Sequence, residues 1–186
     1  ISDFRIQEVQ KAGAIFDPVK LDWINSNHLA ALSFNDFKEQ LLPFLETHNI
    51  DVAAKENSDE IIEAMRTSKP TLAGIALDLK PYFFNIDAYD EKAAKKFLVG
   101  SQSSLEYILR KLQGLETWNE SSIDEALAAA QAALSLPTPK LNQPIRIAMT
   151  GSTHSPSLGL TLALFGQEES HLRISNAIKY LEDSSS

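Results

Sequence analysis

Apolar residues in this chain recur three and four positions apart in one segment after another and rarely alternate, which is the periodicity of amphipathic helices rather than of strands. Asp17 followed by Pro18 forms an N-cap with proline at the first helical position, and Leu21, Ile24 and Leu29 follow at helical spacing. Ser33 is placed to cap a second helix with the apolar face Phe34, Phe37, Leu41, Leu42 and Leu45. Pro43, lacking a backbone donor, is expected to kink or divide that helix. Ser58 opens a third, with Asp59 and Glu60 near the positive end of its dipole and Ile61, Ile62 and Met65 as its apolar positions. Pro70 precedes a helix from Thr71 to Leu79 that is expected to stop before Pro81, and Asp90 begins a short one ending at Gly100. Two Ser-x-x-Glu capping boxes, Ser103 with Glu106 and Ser122 with Glu125, then introduce Leu105, Ile108, Leu109 and Leu112, and the alanine-rich stretch from Ala126 to Leu134.

The texture changes at Pro137-Thr138-Pro139, which reads as a linker. Pro144-Ile145-Arg146-Ile147-Ala148-Met149-Thr150-Gly151 is rich in β-branched residues and is expected to be extended. A polar turn from Ser152 to Ser155 leads through Pro156 into an apolar helix, Leu158 to Phe165, stopped by Gly166. A last helix runs from about Glu168 to Leu181, and the tail Ser184-Ser185-Ser186 is expected to fray. The sequence therefore predicts an all-α fold of many short helices with one short extended segment near 144–150.

Composition narrows the function. No apolar run approaches the roughly 20 residues that span a bilayer, so no membrane role is expected. The start, Ile1-Ser2-Asp3-Phe4, is neither an initiator Met nor a signal peptide and reads as a cut end. The absence of cysteine removes disulfides, zinc–thiolate sites and thiol nucleophiles, and suits a cytoplasmic protein. His28, His48, His154 and His171 are scattered, the glycines form no phosphate loop, and no G-x-S-x-G elbow occurs. With no metal site and no catalytic residue in view, the chain reads as a recognition module. A net charge of −8 argues against general affinity for nucleic acid, DNA included. Yet the charge is uneven: residues 51–63 are mostly acidic, whereas Lys92, Lys95, Lys96, Arg110 and Lys111, then Lys140, Arg146, Arg173 and Lys179, leave room for a local basic surface.

Two segments carry a family resemblance. Lys11-Ala12-Gly13-Ala14-Ile15-Phe16-Asp17-Pro18-Val19-Lys20-Leu21-Asp22-Trp23-Ile24-Asn25 resembles the stretch that follows the catalytic core in bacterial-type glutamyl-tRNA synthetases. The run from Pro144 to Gly151, continuing through Ser155-Pro156-Ser157-Leu158 to Leu164-Phe165-Gly166, is similar to that family's C-terminal signature. Met65-Arg66, Thr71-Leu72 and Tyr82-Phe83-Phe84 form a weaker match between them. The resemblance implies the anticodon-binding part of such an enzyme without its catalytic half. Residues 1–48 would end the stem-contact region, and 49–87 and 88–186 would form two anticodon-binding subdomains of a helical cage. It further implies a monomer that binds glutamate-accepting tRNA. The parent enzyme would use ATP and Mg, and this fragment alone would need no cofactor and catalyse nothing. Arg146, His154, Ser155, Pro156 and Leu158 would line the anticodon pocket. Arg66, Ser68 and Lys69 lie where some members read the last anticodon base, Ser68 occupying the spot held there by an arginine. A helical protein-interaction domain with no RNA role is the rival reading, but it leaves the two ordered signatures unexplained.

Overall fold

The computed structural model describes residues 16–184, so Ile1 to Ile15, including the first residues of the Lys11–Asn25 match, and Ser185–Ser186 lie outside the described residues. Helices α1 (Pro18–Ala31), α2 (Phe34–Glu46), α3 (Ser58–Met65) and α4 (Leu72–Phe83) form the first half, with a 3-10 turn at Val52–Ala54. Helix α5 (Glu91–Ala93) runs into a π-helical turn, Ala94–Leu98, and is followed by α6 (Gln102–Gln113), α7 (Glu120–Leu134), α8 (Thr138–Thr150), α9 (Leu158–Phe165) and α10 (Gln167–Ser184). No strand occurs among the described residues, and none of their helices is long and apolar enough to cross a membrane.

Helix α2 packs on α4, α3 on α4, and α6, α7, α8, α9 and α10 on one another, while α4 also meets α8. One core cluster runs through all of them from Leu29 to Leu181. Several contacts join the two halves. Tyr82 of α4 stacks on Phe165 of α9 at 4.6 Å between ring centroids, and the Asn57 amide donates to the Leu164 carbonyl at 2.9 Å. Arg173 of α10 is almost wholly buried. It donates to the carbonyls of Met149 (2.7 Å) and Phe84 (2.9 Å), and its guanidinium lies 4.4 Å from the Phe165 ring centre. A cation is well placed against the last carbonyls of two helices, because those groups carry the negative end of the helix dipole.

The expected extended segment at 144–150 is instead the second half of α8. Leu141, Ile145, Ala148 and Met149, at i, i+4, i+7 and i+8, are all buried, so core packing overrides the β-branched preference of Ile145 and Ile147. Pro137-Thr138-Pro139 is no linker; it starts this helix, where a missing N–H matters little. Nor does proline break the others. Pro43, Pro81 and Pro144 all sit inside helices. The residues whose carbonyls lose a partner, four positions earlier, are Glu39, Leu77 and Lys140, and each is exposed, so water can take the place of the lost donor.

Two capping boxes also shift. Helix α6 begins at Gln102 behind Ser101, and α7 begins behind Asn119, whose side chain caps the Ser122 amide in a reciprocal box. Helix α1 departs most from expectation. Asp17 caps it and Pro18 leads it, but Leu21 and Ile24 are about half exposed and only Leu29 is buried.

Candidate nucleic-acid interface

Helix α8 ends at Gly151, which adopts φ 75°. Glycine takes this left-handed conformation without strain, and it turns the chain sharply out of the helix. The turn directs residues 152–157 back along α8 to α9, where Ser157 caps the first turn by accepting from the Leu160 amide. Glu120 and Asp124 of α7 attend the same helix end. The Ser157 hydroxyl donates to Glu120 at 2.7 Å, and the Asp124 carboxylate lies against Gly159 so closely that a Cβ there would meet it at 2.3 Å. Carboxylates at this end oppose the positive pole of α9. The turn is thus fixed at both ends.

Arg146 fixes its middle. Its Nε donates to Ser155 Oγ at 2.8 Å and one Nη2 hydrogen to the Pro156 carbonyl at 3.2 Å. Thr161, fully buried one turn into α9, places its hydroxyl 3.0 Å from Ser155 Oγ and 2.8 Å from the Ser157 carbonyl. Arg146 is half-buried, and burial lowers its guanidinium pKa, partly opposed by Tyr82. An arginine has five N–H donors in a rigid fork; with Nε and one Nη2 hydrogen engaged in the turn, Nη1 and the other Nη2 hydrogen have no partner among the described residues.

These groups form one wall of a cleft of about 330 Å³ lined by Arg146, Thr153, His154, Ser155 and Pro156, and on the other side by Ala64, Thr67, Ser68 and Asp78. Ser68 Oγ is shielded from solvent and has no hydrogen-bond partner among the described residues. His154 is exposed at the rim, its Nδ1 3.3 Å from Thr153 Oγ1. The cleft therefore gathers planar charged donors, hydroxyls, an exposed imidazole and the Pro156 ring, at the meeting of the α3–α4 link with the α8–α9 turn.

Of the residues expected from sequence, Ser68, Arg146, His154, Ser155 and Pro156 share this cleft, while three face elsewhere. Arg66 donates to the carbonyls of Leu29 (3.0 Å), Ala30 (3.3 Å) and Leu32 and lies 5.1 Å from the Phe37 ring centre, so it closes the C-terminal end of α1. Lys69 pairs with Asp78 at 3.7 Å beside the cleft. Leu158 is buried in the core at the start of α9. Sequence reasoning missed Asp78 and Thr161. Thr161 carries a weak signal, standing four residues after Ser157 on a helix that is otherwise apolar. Asp78 carries none, because only the packing of α4 brings it beside Ser68.

Three comparisons bear on this geometry. A family model described as an anticodon binding domain matches residues 36–178. Glutamate–tRNA ligase 2 of Halorhodospira halophila is 31% identical over 179 residues, and the glutamate–tRNA ligase of Myxococcus xanthus is 34% identical over 177. These alignments cover 96% and 94% of this chain but only 38% and 37% of the relatives, so the chain spans well under half their length. Among solved structures, the glutamate tRNA ligase of Elizabethkingia meningosepticum superposes with a TM-score of 0.78 at 26% identity, covering 96% of this chain and 35% of the other. The glutamate-tRNA synthetase of Elizabethkingia anophelis does so with 0.75 at 27%, covering 95% and 34%. With a matching model over most of its length and its fold shared with the corresponding third of these ligases, the chain belongs to the anticodon binding domain family.

Proposed function

We propose that this chain recognises the anticodon of glutamate-accepting tRNA as part of a cytoplasmic, monomeric glutamate–tRNA ligase. The rest of that ligase would activate glutamate with ATP and Mg and transfer it to the tRNA. Residues 49–87 and 88–186 contribute the two walls, as two subdomains of one reading surface, and residues 1–48 lead in from the stem-contact region. The observation that carries this reading is the convergence of Arg146, Ser155, Pro156 and His154 with Ser68 around one cleft. Anticodon bases can be splayed out, stacked, and read along their hydrogen-bonding edges by a few placed groups. An acidic protein suffices for that, because local donors rather than overall charge make the contacts. The unengaged Arg146 donors reach a base edge or phosphate, and the Pro156 ring offers an apolar surface, while the shielded Ser68 hydroxyl lies in the opposite wall of the cleft. A helical protein-interaction role is not favoured by the family match.

The test is binding of the 186-residue chain to glutamate tRNA across a range of salt, beside a transcript whose last anticodon base is changed to G. Arg146→Ala removes charged hydrogen bonds worth about 1.5–3 kcal/mol each, so affinity falls by about ten- to a hundred-fold on both RNAs. Arg146→Lys keeps the charge but loses the fork and gives an intermediate loss. Wild-type binding unchanged by either substitution would refute the assignment.

A further inference from the structure

A second cleft, of about 570 Å³, opens beyond the C-terminal ends of α4 and α8. Its lining includes His48, Asn49, Lys80, Pro81, Phe84 and Asn85. Thr150 also contributes, four residues after Arg146, so α8 passes from the first cleft to the second within about one helical turn. Helix α4 does likewise, giving Asp78 to the first and Lys80 and Pro81 to the second.

Three features mark this cleft as built. Phe84 is 40% exposed although it is a large aromatic in a chain with ample core. Its backbone is held on both sides: its amide donates to the Lys80 carbonyl at 2.9 Å and its carbonyl accepts from Arg173 at 2.9 Å. The ring is therefore presented from a braced backbone position. Next, Asn49 adopts φ 56°, a left-handed conformation uncommon for non-glycine residues, which places it at the turn leaving α2. Finally, among the described residues no side-chain hydrogen bond or ion pair engages His48, Asn49, Lys80 or Asn85.

We infer that this second cleft binds a further nucleotide of the same RNA strand, its base stacked on Phe84. This inference rests on the anticodon reading proposed above. The Asn49 and Asn85 amides carry a donor and an acceptor each and read the base edge, and Lys80 meets its phosphate. Asp87 also lines the cleft. A carboxylate repels a second phosphate but accepts from an exocyclic amino group, so the site prefers A, C or G to U. Base–aromatic stacking tolerates any of these rings.

The experiment titrates the whole chain with the anticodon stem-loop of glutamate-accepting tRNA and with loops made abasic at one position at a time. Phe84→Ala lowers affinity about ten-fold on the intact loop, and Phe84→Trp retains it. On one abasic loop the Phe84→Ala loss disappears, and replacing that nucleotide by U weakens wild-type binding. Arg146→Ala remains costly on that same loop. If wild type binds, Arg146→Ala weakens it, and Phe84→Ala and Asn85→Ala bind as wild type does, the second subsite is refuted and the anticodon reading stands. If wild type fails to bind at low salt, or Arg146→Ala has no effect, both fall. Should Phe84→Ala not fold, Lys80→Ala decides: loss of one phosphate contact lowers the salt slope by about one, and an unchanged slope overturns the proposal.

Discussion

Arg66 makes a sharp test, because sequence resemblance places it at the RNA and the structure places it in the fold. Among the described residues, helix α1 is held by little else. Leu29 is its only buried residue, worth about 1.5–3 kcal/mol of apolar burial, and a helix of 14 residues is marginal alone in water. Asn25 donates to the Pro70 carbonyl, and Arg66 donates to three carbonyls at the end of the helix. The Arg66 side chain is only 11% exposed, so these bonds are poorly replaced by water. Arg66→Ala therefore leaves carbonyls with weakened solvation and removes the cation from the Phe37 face. With hydrogen bonds to a charged donor worth about 1.5–3 kcal/mol each and imperfect additivity, we expect a loss of about 3–4 kcal/mol in the docking of α1. Native-state hydrogen exchange reads this directly. Amides of α1 should exchange on the order of a hundred-fold faster or more, while those of α6, α8 and α10 change little. Arg66→Lys, with its compact charge and no fork, should recover only part of the protection. If α1 exchange is unchanged and binding to the anticodon stem-loop collapses instead, Arg66 is an RNA contact and the structural assignment is wrong.

Other expectations follow from single positions. Burial pushes the Tyr82 hydroxyl up to about 12, with Thr161 and Arg146 opposing and Asp78 reinforcing the shift. Because the folded value lies above the unfolded one, near 10, the neutral phenol's contribution is intact below pH 10 and is lost as pH rises toward about 12. Urea titrations of Tyr82→Phe should then lose less stability than wild type over that window, by up to about 3 kcal/mol, and parallel curves would refute the burial. Gly151→Ala forces a side chain into φ 75° and places its Cβ 3.3 Å from Ile86. It should lower stability by about 1–2 kcal/mol and, by shifting the turn, weaken stem-loop binding; an unchanged denaturation midpoint would refute this.

What the sequence made legible divides along physical lines. Helix α9 was readable to the residue, because Ser157, the apolar run and Gly166 are local signals that agree. Helix α8 was not, since its β-branched run and two prolines point one way locally and its buried Leu141-Ile145-Ala148 stripe points the other. Asn119 outcompeted Ser122 as a cap because the helix reaches further back than the Ser-x-x-Glu pattern suggests. In the first cleft, the groups of the 146–156 segment came from a contiguous motif. Ser68 was placed by resemblance, and Asp78 was invisible, because its position depends on how α4 lies against α8. The contacts of Arg66 were hidden for the same reason: nothing near it in sequence announces that the end of α1, more than thirty residues earlier, takes its donors.

Arg173 ties the last carbonyl region of α8 to that of α4 through a single guanidinium, which braces the backbone of Phe84 from behind. The way the ends of these two helices sit against each other is therefore held by α10. Altering the fork at 173, or Glu169 that pairs with it, changes how the ends of α8 and α4 meet while leaving every residue that lines the first cleft unchanged. On the proposed reading, specificity belongs to the framework as well as to the contacts, and a survey confined to the residues lining the clefts would overlook where it is tuned.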